Sequence, residues 1–481
     1  STTPVTDVNA SGAVTGTSHT GGLIGRVEAN VINASAGGDV NGTSGNRVGG
    51  LIGAHRPNQA AKITNVSASG DVSASGNGVG GLVGHAKSSS GNPITVSNAH
   101  ASGAVNATGE KVGGLVGQFQ NAGNVTDVSA KGDVNASGPG DGDRVGGLVG
   151  NLHHDSADYI LANASATGDV DATGQRVGGL IGYNQNGDRV ETSYARGNVS
   201  TDGNFVGGLI GDMNAGSIID SYARGDVITS GDKVGGLAGE ANGGVTRAYA
   251  SGRVEGDGTD IGGLVGSNDG TLSDAYWDRG ATNQTDATGS GSSGGATGYG
   301  TVGDSRALKM QGRAPTQFMA ALNYTSPWKL TSTYPIFQRE SETAGSLLAT
   351  VDTIEATSTT GVQTQQLTVE VNASINGSRV GPGYLITVSD PNGLAELDNK
   401  TALTDQNGTA TFTFAEPNAG TFEPTFVAVS DSSVTATTTV EVNEGTARTY
   451  TREDGTELTA VYTGNGTADN PYLIDSLADL Q

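Results

Sequence analysis

The sequence contains no cysteine, few aromatic residues and no long apolar run. Without cysteine, the chain cannot form a disulfide, a zinc–thiolate site or a thiol nucleophile. Aromatic residues make up 5% and apolar residues 34% of the 481 residues, so a large globular core is not expected. No apolar segment approaches the roughly 20 residues that a membrane-spanning helix needs. Backbone pairing is therefore the expected source of stability.

Basic residues are also scarce. The chain has 49 acidic and 25 basic residues, which gives a net charge of −24, and eight of the basic residues are lysines. This charge disfavours nucleic acid and anionic membrane surfaces as partners. An acid excess with little lysine is typical of halophile proteins, whose surface carboxylates hold hydrated cations. The chain begins at Ser1 without a signal peptide, which indicates a processed mature chain or a piece of a longer protein.

Glycine is abundant, with 79 positions, and much of it belongs to a repeat. The string V-G-G-L-V-G or a near variant occurs nine times, and a second phrase, A-x-G-D-V, precedes each copy. The nine leucines, spaced by 27 to 33 residues, are Leu23, Leu51, Leu82, Leu115, Leu148, Leu180, Leu209, Leu237 and Leu264. The length varies mainly in the arc after the glycine motif, as in residues 85–93 and 151–158. A constant period of this size indicates one supersecondary unit per repeat.

Each repeat has the alternation of short strands. In residues 127–134, Val, Ala, Gly and Val alternate with Asp, Ser, Lys and Asp, which predicts strands with small residues inside and polar residues outside. About three short strands per repeat, separated by Gly, Asn and Asp turns, are expected. Stacking successive coils at about 4.8 Å would bury the small residues and pair the backbone. The predicted fold is an all-β solenoid of about nine coils over residues 1–276, followed by an immunoglobulin-like β-sandwich.

These repeated phrases resemble the GLUG repeat of bacterial and archaeal surface proteins. The resemblance covers roughly residues 5–276 and implies adhesion or a structural role at the cell surface rather than a reaction. It also implies a capping segment after the array, and residues 277–344 are interpreted as cap and linker, with a short helical segment around 307–322. Residues 345–445 contain alternating Thr/Val strands, and Thr404-Asp405-Gln406-Asn407-Gly408-Thr409-Ala410 is similar to the immunoglobulin-like modules of invasin-type adhesins.

The last segment, residues 446–481, resembles the stretch that opens a GLUG array, whereas the chain starts within a coil. Two interpretations remain open: an excerpt of a long monomeric adhesin, or a subunit of a head-to-tail fibre in which this segment completes the next subunit's solenoid by strand addition. Self is therefore the expected partner, besides cell-surface glycans or proteins. The predicted donor residues are Pro471, Tyr472, Leu473, Ile474, Leu477 and Leu480, and the predicted acceptor residues are Val5, Val8, Val14 and Leu23.

Two kinds of candidate site follow from the residue pattern. The Asn-x-Ser/Thr sequons favour a secreted, N-glycosylated protein. A tyrosine row, predicted to face outward, is a possible ligand stripe or a ladder that stabilises the coils. The principal sequon asparagines are Asn65, Asn106, Asn124, Asn135, Asn163, Asn198, Asn283, Asn323, Asn372, Asn376 and Asn407, and further sequons begin at Asn9, Asn33, Asn41, Asn399 and Asn465. The tyrosines of the row are Tyr194, Tyr222, Tyr249 and Tyr276.

Metal and catalytic motifs are weak. Calcium is the candidate ion, at the oxygen-rich turns 141–143, 257–260 and 389–392, but plain turns explain them as well. His153-His154-Asp155 is interpreted as a solvated loop. An outward aspartate ladder fits a solvated acidic face better than the carboxylate pair of a carbohydrate-active β-helix enzyme. The ladder comprises Asp39, Asp71, Asp133, Asp169 and Asp226. The sequence therefore predicts an extracellular, non-enzymatic structural or adhesive protein with no catalytic residues.

Overall fold

A computed structural model describes most of the chain. The described residues are 3–89, 91–137, 144–153, 159–302, 310–311, 315–331, 334–340, 353–362, 367–375, 378–380, 384–389, 401–405, 407–414, 419–428, 434–443, 446–451 and 457–462. The chain divides into two compact units. The first comprises residues 1–307 and 319–327, and the second comprises residues 308–318 and 328–481.

The first unit is a β-solenoid of nine coils, as the repeat predicts, but each coil contributes to four sheets instead of the three expected strands. The glycine motif forms two short strands, one before and one after its leucine, as in Val48–Gly49 and Ile52–His55. Equivalent strands of successive coils pair in parallel, which creates four long sheets.

The first sheet contains the long strands that open each coil: Val5–Ala10, Val31–Ala36, Ala61–Ala68, Ile94–Ala101, Ala122–Ala130, Ile160–Ala166, Arg189–Glu191, Tyr194–Ala195, Ser217–Ala223, Gly244–Ala250, Thr271–Asp278 and Ala296–Tyr299. The second sheet contains Val14–Gly16, Val40–Gly42, Val72–Ala74, Val105–Ala107, Val134–Ala136, Val170–Ala172, Val199–Thr201, Val227–Thr229 and Val254–Gly256.

The third sheet contains Thr20–Gly21, Val48–Gly49, Val79–Gly80, Val112–Gly113, Val145–Gly146, Val177–Gly178, Val206–Gly207, Val234–Gly235 and Ile261–Gly262. The fourth sheet contains Ile24–Val27, Ile52–His55, Val83–Lys87, Val116–Gln120, Val149–His153, Ile181–Asn184, Ile210–Met213, Ala238–Ala241, Val265–Asn268 and Thr288–Gly291. The arcs of variable length lie between the fourth sheet and the first.

The interior of the solenoid is narrow and lined by small residues. One apolar cluster joins the first and fourth sheets around the repeated leucines, such as the fully buried Leu82. A second cluster joins the second and third sheets and consists almost entirely of valine and alanine. The register keeps identical residues in contact, since Val79 pairs with Val48 on one side and Val112 on the other. Each coil therefore shields the lining of its neighbours.

Glycine is required where coils approach most closely. A Cβ placed on Gly147 would lie 2.2 Å from the carbonyl oxygen of Gly179 and 3.0 Å from the Cβ of Ala166. Real Cβ atoms do not approach a backbone oxygen so closely, so the second glycine of the motif has no room for a side chain. The V-G-G-L-V-G string thus reflects the packing of one coil on the next.

Large residues close the end of the array. The eleventh strand of the first sheet, Thr271–Asp278, places Trp277 in register with Ala250, and the indole extends the core cluster. A short helix, Arg279–Thr282, follows, with the side chain of Asp278 accepting a bond from a backbone amide of its first turn. Parallel pairing continues beyond residue 276, the predicted end of the solenoid, through Thr288–Gly291 and Ala296–Tyr299.

The second unit has a different β architecture. It contains one short helix, Pro315–Phe318, within the segment predicted to be helical. The strands are Trp328–Lys329 with Ile336–Phe337; Thr353–Ala356, Leu367–Ile375, Ser378–Arg379 and Thr409–Phe414; Thr359–Val362, Val440–Asn443 and Gly420–Phe422; Thr401–Leu403, Leu385–Ser389, Thr425–Ala428 and Thr435–Thr437; and Thr446–Thr451 with Glu457–Tyr462. Pairing is antiparallel except between Thr359–Val362 and Val440–Asn443.

Residues 353–443 of this unit share one apolar cluster, in which Phe412 and Phe426 pack with ring centroids 5.0 Å apart. Alternation along Thr409–Phe414 explains the cluster, because Ala410, Phe412 and Phe414 are buried. The assignment of this unit as an invasin-type module stays a prediction. Among the described residues, no helix is long and apolar enough to cross a membrane.

Candidate functional site

The predicted aspartate ladder lies on the surface and links successive coils. The backbone N–H of Asp71 donates to Oδ1 of Asp39 at 3.0 Å, and the N–H of Asp169 donates to Oδ1 of Asp133 at 2.9 Å. The N–H of Arg253 likewise donates to Oδ1 of Asp226 at 2.8 Å. Each carboxylate therefore satisfies a backbone donor of the next coil, where chain turning leaves it without a sheet partner. This structural role explains the repetition of the aspartates.

A second ladder of asparagines runs along the first sheet. Nδ2 of Asn33 donates to Asp7, that of Asn65 to Asn33 and that of Asn98 to Asn65, at 2.9, 3.0 and 2.9 Å. Each of these residues has a positive φ, between 49° and 58°. Asn and Asp tolerate this left-handed conformation better than other residues that carry a side chain. In coils 5 and 6, Asn163 donates to Asp127 in the same way at 3.1 Å.

Three sequon asparagines form a column on the outer face of the second sheet. The register pairs Asn41 with Ser73, Ser73 with Asn106, and Asn106 with Asn135. All four side chains are exposed. They border an open depression of about 380 Å³ together with the sequon hydroxyls Thr43, Thr108 and Ser137. We call Asn41, Asn106 and Asn135 the sequon column.

The remaining predicted sequon asparagines are scattered. Asn124 and Asn198 use Oδ1 to accept backbone bonds from the next coil, and Asn323 accepts two backbone bonds within its own turn. Asn283 ends the short helix with φ 58°. Asn372 and Asn407 are further candidates within the described residues. Asn376 lies outside them. Oδ1 of Asn372 accepts a bond from the Thr409 hydroxyl.

The tyrosine row is a packed ladder rather than an open stripe. The rings of Tyr194 and Tyr222 stack at 5.1 Å and those of Tyr222 and Tyr249 at 5.0 Å. The row lies outside the solenoid core, as its outward parity predicts, yet Tyr222 and Tyr249 are fully buried and Tyr276 is 6% exposed. Burial raises the pKa of Tyr276 to about 12, with a contribution from Asp274. The idea that Tyr222 and Tyr249 present ring faces to a ligand is therefore wrong for this structure.

The cap segment accounts for part of this burial. Tyr324 lies close enough to Tyr249, Tyr276 and Tyr299 to interact electrostatically with them when they ionise. The backbone of Ala321 forms a hydrogen bond with Tyr276. Burial raises the pKa of Tyr324 far above its usual range. A residue distant in sequence thus lies near the row, which the repeat pattern could not reveal.

A column of basic residues precedes the third sheet. Arg47, Lys111, Arg144, Arg176 and Lys233 each stand directly before a V-G-G string, with φ between 59° and 69°. The side chains of four of them contact residues of the fourth sheet, namely Arg47, Arg144, Arg176 and Lys233. Sequence reasoning missed this column, although a basic residue before V-G-G in five of nine repeats was a readable signal.

The partners of this column change along the solenoid. In the later coils they are carboxylates: Nε of Arg176 lies 2.9 Å from Oδ2 of Asp212, and Nζ of Lys233 lies 2.6 Å from Oε1 of Glu240. In the early coils they are histidines: Nε of Arg47 donates to Nδ1 of His85 at 3.2 Å. The basic column is therefore neutralised by carboxylates in the later coils but not by its histidine partners in the early coils.

The predicted acceptor residues lie at the open edge of the first coil. Val8 is 36% exposed, whereas Ala34, its partner in the second coil, is 2% exposed. Val5, Val14 and Leu23 are half-buried. The predicted donor residues Pro471, Tyr472, Leu473, Ile474, Leu477 and Leu480 lie outside the described residues.

The candidate ion sites are only partly described. Residues 141–143, 154–155 and 390–392 lie outside the described part of the chain. In the turn 257–260, the backbone and hydroxyl of Thr259 donate to Asp232. Among the described residues, no group of three or more His, Asp or Glu side chains is arranged to hold a metal ion. Calcium binding stays a prediction.

Comparison with known proteins identifies the repeat and a relative. The GLUG motif matches residues 108–135 and 173–200. Halomucin of Haloquadratum walsbyi is 80% identical over 323 residues, which is 67% of this chain and 4% of halomucin. The chain therefore contains GLUG motifs within its β-solenoid. No solved structure matches the chain.

The match to halomucin confirms the predicted localisation, outside the cell at the cell surface. It also supports the halophilic origin inferred from the acidic, lysine-poor composition. Because the match spans 4% of halomucin, what halomucin does as a whole is not transferred to this chain.

Proposed function

We propose that the chain is a structural, mucin-like surface protein whose solenoid displays N-linked glycans from the sequon column. Its resemblance to a protein named a mucin supports the general role, and the GLUG repeats fit a structural rather than catalytic protein. The observation that carries the proposal is that Asn41, Asn106 and Asn135 stand exposed in one column on one face.

The structure separates these sequons from others of the same local sequence. In the asparagine ladder, Nδ2 of Asn65 and Asn163 already donates to the neighbouring coil, and glycosylation of that nitrogen would replace one of its two hydrogens. In the sequon column, Asn106 is exposed and borders an open depression. Neighbouring coils are about 4.8 Å apart. Glycans on the adjacent Asn106 and Asn135 would therefore crowd each other, whereas Asn41 lies two coils from Asn106.

The test is glycopeptide mass spectrometry of the full chain expressed in a haloarchaeal host. We expect glycans at Asn41 and at Asn106 or Asn135, and a lower intact mass for the triple variant N41Q/N106Q/N135Q. The matched control N33Q/N65Q/N163Q removes three ladder asparagines and should leave the glycan mass unchanged. Glycans on the ladder and none on the sequon column would contradict the proposal.

A second candidate function is head-to-tail assembly, which the exposure of apolar residues in the first coil favours. Its apolar residues Val5, Val8 and Val14 are more exposed than their partners one coil further on. We propose that a strand from residues 446–481 of another copy pairs with Val5–Ala10. The alternative, that preceding residues of a longer protein cover this edge, predicts monomers.

Electron microscopy of the chain with and without residues 464–481 decides between these two. Filaments that disappear on deletion support strand addition. Filaments that persist after the deletion, or monomers in both samples, contradict it. The variant V8D is a matched test on the acceptor side, because it places a charge where a donor strand would bury it.

A further inference from the structure

Positive charge collects at the edge between the third and fourth sheets in coils 1–3, although the protein has a net charge of −24. Arg47 stands at the centre. Its Nη1 lies 2.8 Å from Nε2 of His19, and its Nε donates to Nδ1 of His85. Nη2 of Arg56 lies 3.5 Å from the same His85 nitrogen. We call His19, Arg47, Arg56 and His85 the arginine cluster.

The two histidines are neutral supports for the arginines. Burial, together with the nearby Arg56 and Arg47, lowers the pKa of His85 to about 3. Burial and the same arginines also lower the pKa of His19. Each ring can therefore accept a hydrogen bond from a guanidinium, and neither contributes a counter-charge.

No carboxylate of the described residues pairs with Arg47 or Arg56. The neighbouring Arg26 has its own partner, since its Nη2 lies 2.7 Å from Oε1 of Glu28. Arg47 and Arg56 approach the same nitrogen of His85, and burial and then the charges of Arg47 and Arg26 lower the pKa of Arg56. Two guanidinium groups that share one imidazole repel each other unless an anion joins them.

The later coils supply an internal comparison. Arg47 and Arg176 occupy the same position before V-G-G, and each reaches a fourth-sheet residue of the next coil. Those two fourth-sheet residues, His85 and Asp212, lie in one register column and are equally buried, at 6% and 5% exposure. The geometry is the same, but the carboxylate is replaced by an imidazole. The early coils therefore lack the negative charge that Asp212 supplies to Arg176 in the later coils.

We propose that the arginine cluster binds an oxyanion, the sulfate or carboxylate group of an acidic polysaccharide. Arg47 and Arg56 are half-buried, so their guanidinium groups are held by the histidines while part of each remains accessible. Guanidinium groups bind such anions in a planar, two-pronged manner. The exposed Lys87 and the half-buried Lys111 add to the positive potential, since the charges of both contribute to the lowered pKa of His85. This inference is independent of glycan display from the sequon column.

The test is isothermal titration calorimetry of the full chain with sodium sulfate and, separately, with chondroitin sulfate, against sodium chloride at equal ionic strength. We expect one sulfate site, and a loss of affinity of about tenfold or more in R47Q/R56Q, since hydrogen bonds to charged groups are strong. Binding of the polysaccharide alone assigns the site to a glycan group, and binding of free sulfate alone assigns it to a dissolved oxyanion. If neither binds more tightly than chloride, the proposal fails.

Two further variants guard against misfolding. H85D copies the arrangement of Asp212 and should abolish sulfate binding while the thermal unfolding midpoint stays equal or rises, because Arg47 gains a carboxylate. R176Q removes an arginine that is already paired and should leave sulfate affinity unchanged. Sulfate binding that survives H85D, or that R176Q abolishes, would overturn the assignment.

Discussion

The packing of one coil on the next can be tested at a single glycine position. Gly12 and Gly38 occupy the same place in the first and second coils, two residues before the valine of the second sheet. A Cβ on Gly12 would meet nothing within 4 Å, whereas a Cβ on Gly38 would lie 2.2 Å from the carbonyl oxygen of Gly12. Replacing each glycine by alanine therefore makes the same chemical change with and without a neighbouring coil.

The magnitude follows from opposing effects. Overpacking a well-packed interior costs typically about 1–3 kcal/mol, and a backbone oxygen cannot rotate away as a side chain can. Alanine also restricts the unfolded chain, which stabilises the folded state by about 0.4–1 kcal/mol in both variants. G12A is thus expected to be neutral or slightly stabilising. Since the unfolded-state effect cancels between the variants, G38A should be less stable than G12A by about 1–3 kcal/mol.

Denaturant unfolding followed by circular dichroism, with hydrogen exchange of the first three coils, measures this difference. The exchange data matter because repeat arrays can unfold in parts. G70A is a second test, because a Cβ there would lie 2.2 Å from the oxygen of Gly38. If G38A and G70A match G12A in stability and exchange protection, then close coil contact does not explain the glycines, and the reasoning is refuted.

Three more predictions concern the ladders. Y222F should lower the free energy of unfolding by about 1 kcal/mol, because it removes the hydroxyl that accepts a hydrogen bond from Arg196 at 3.0 Å. Y222A should lower it by about 3–5 kcal/mol, because it also removes the buried ring, and thermal unfolding measures both changes. Spectrophotometric titration should find that Tyr276 ionises near pH 12. Because its folded-state pKa lies above the unfolded value near 10, its contribution to stability is full below pH 10 and is lost as the pH rises through 12. N65A should cost about 1–2 kcal/mol, since it breaks the bond to Asn33 and places alanine at φ 55°, and N65G should recover part of that loss.

The arginine cluster and the sequon column give the solenoid two chemically different faces. The repeat keeps the backbone constant, so residues at one position of successive coils form columns about 4.8 Å apart. A few substitutions in such a column change its character along the rod, as the exchange of His85 for the carboxylate of Asp212 does. Surface chemistry can therefore vary without disturbing the core.

Much of the fold was predictable from the sequence because the coil repeats a local rule many times. The period of the leucines determined the number of coils, and the alternation of Val and Ala with polar residues determined which side chains line the interior. The number of strands per coil was not predictable, because a two-residue strand such as Val79–Gly80 is too short to have a periodicity of its own. Only pairing with the coils on both sides makes it a strand.

The sequence by itself determined a solenoid with a small-residue core, an acidic surface and a cell-surface location. Tertiary structure alone decided which outward-pointing residues are exposed and which are buried or hydrogen-bonded to a neighbouring coil. Tyr222 is outward by parity yet buried. Asn65 and Asn106 share a sequon pattern, but Asn65 donates to the preceding coil whereas Asn106 borders an open depression. The physical reason is that a strand pattern specifies the side to which a residue points, whereas its partner is set by residues one coil or many coils away in the chain.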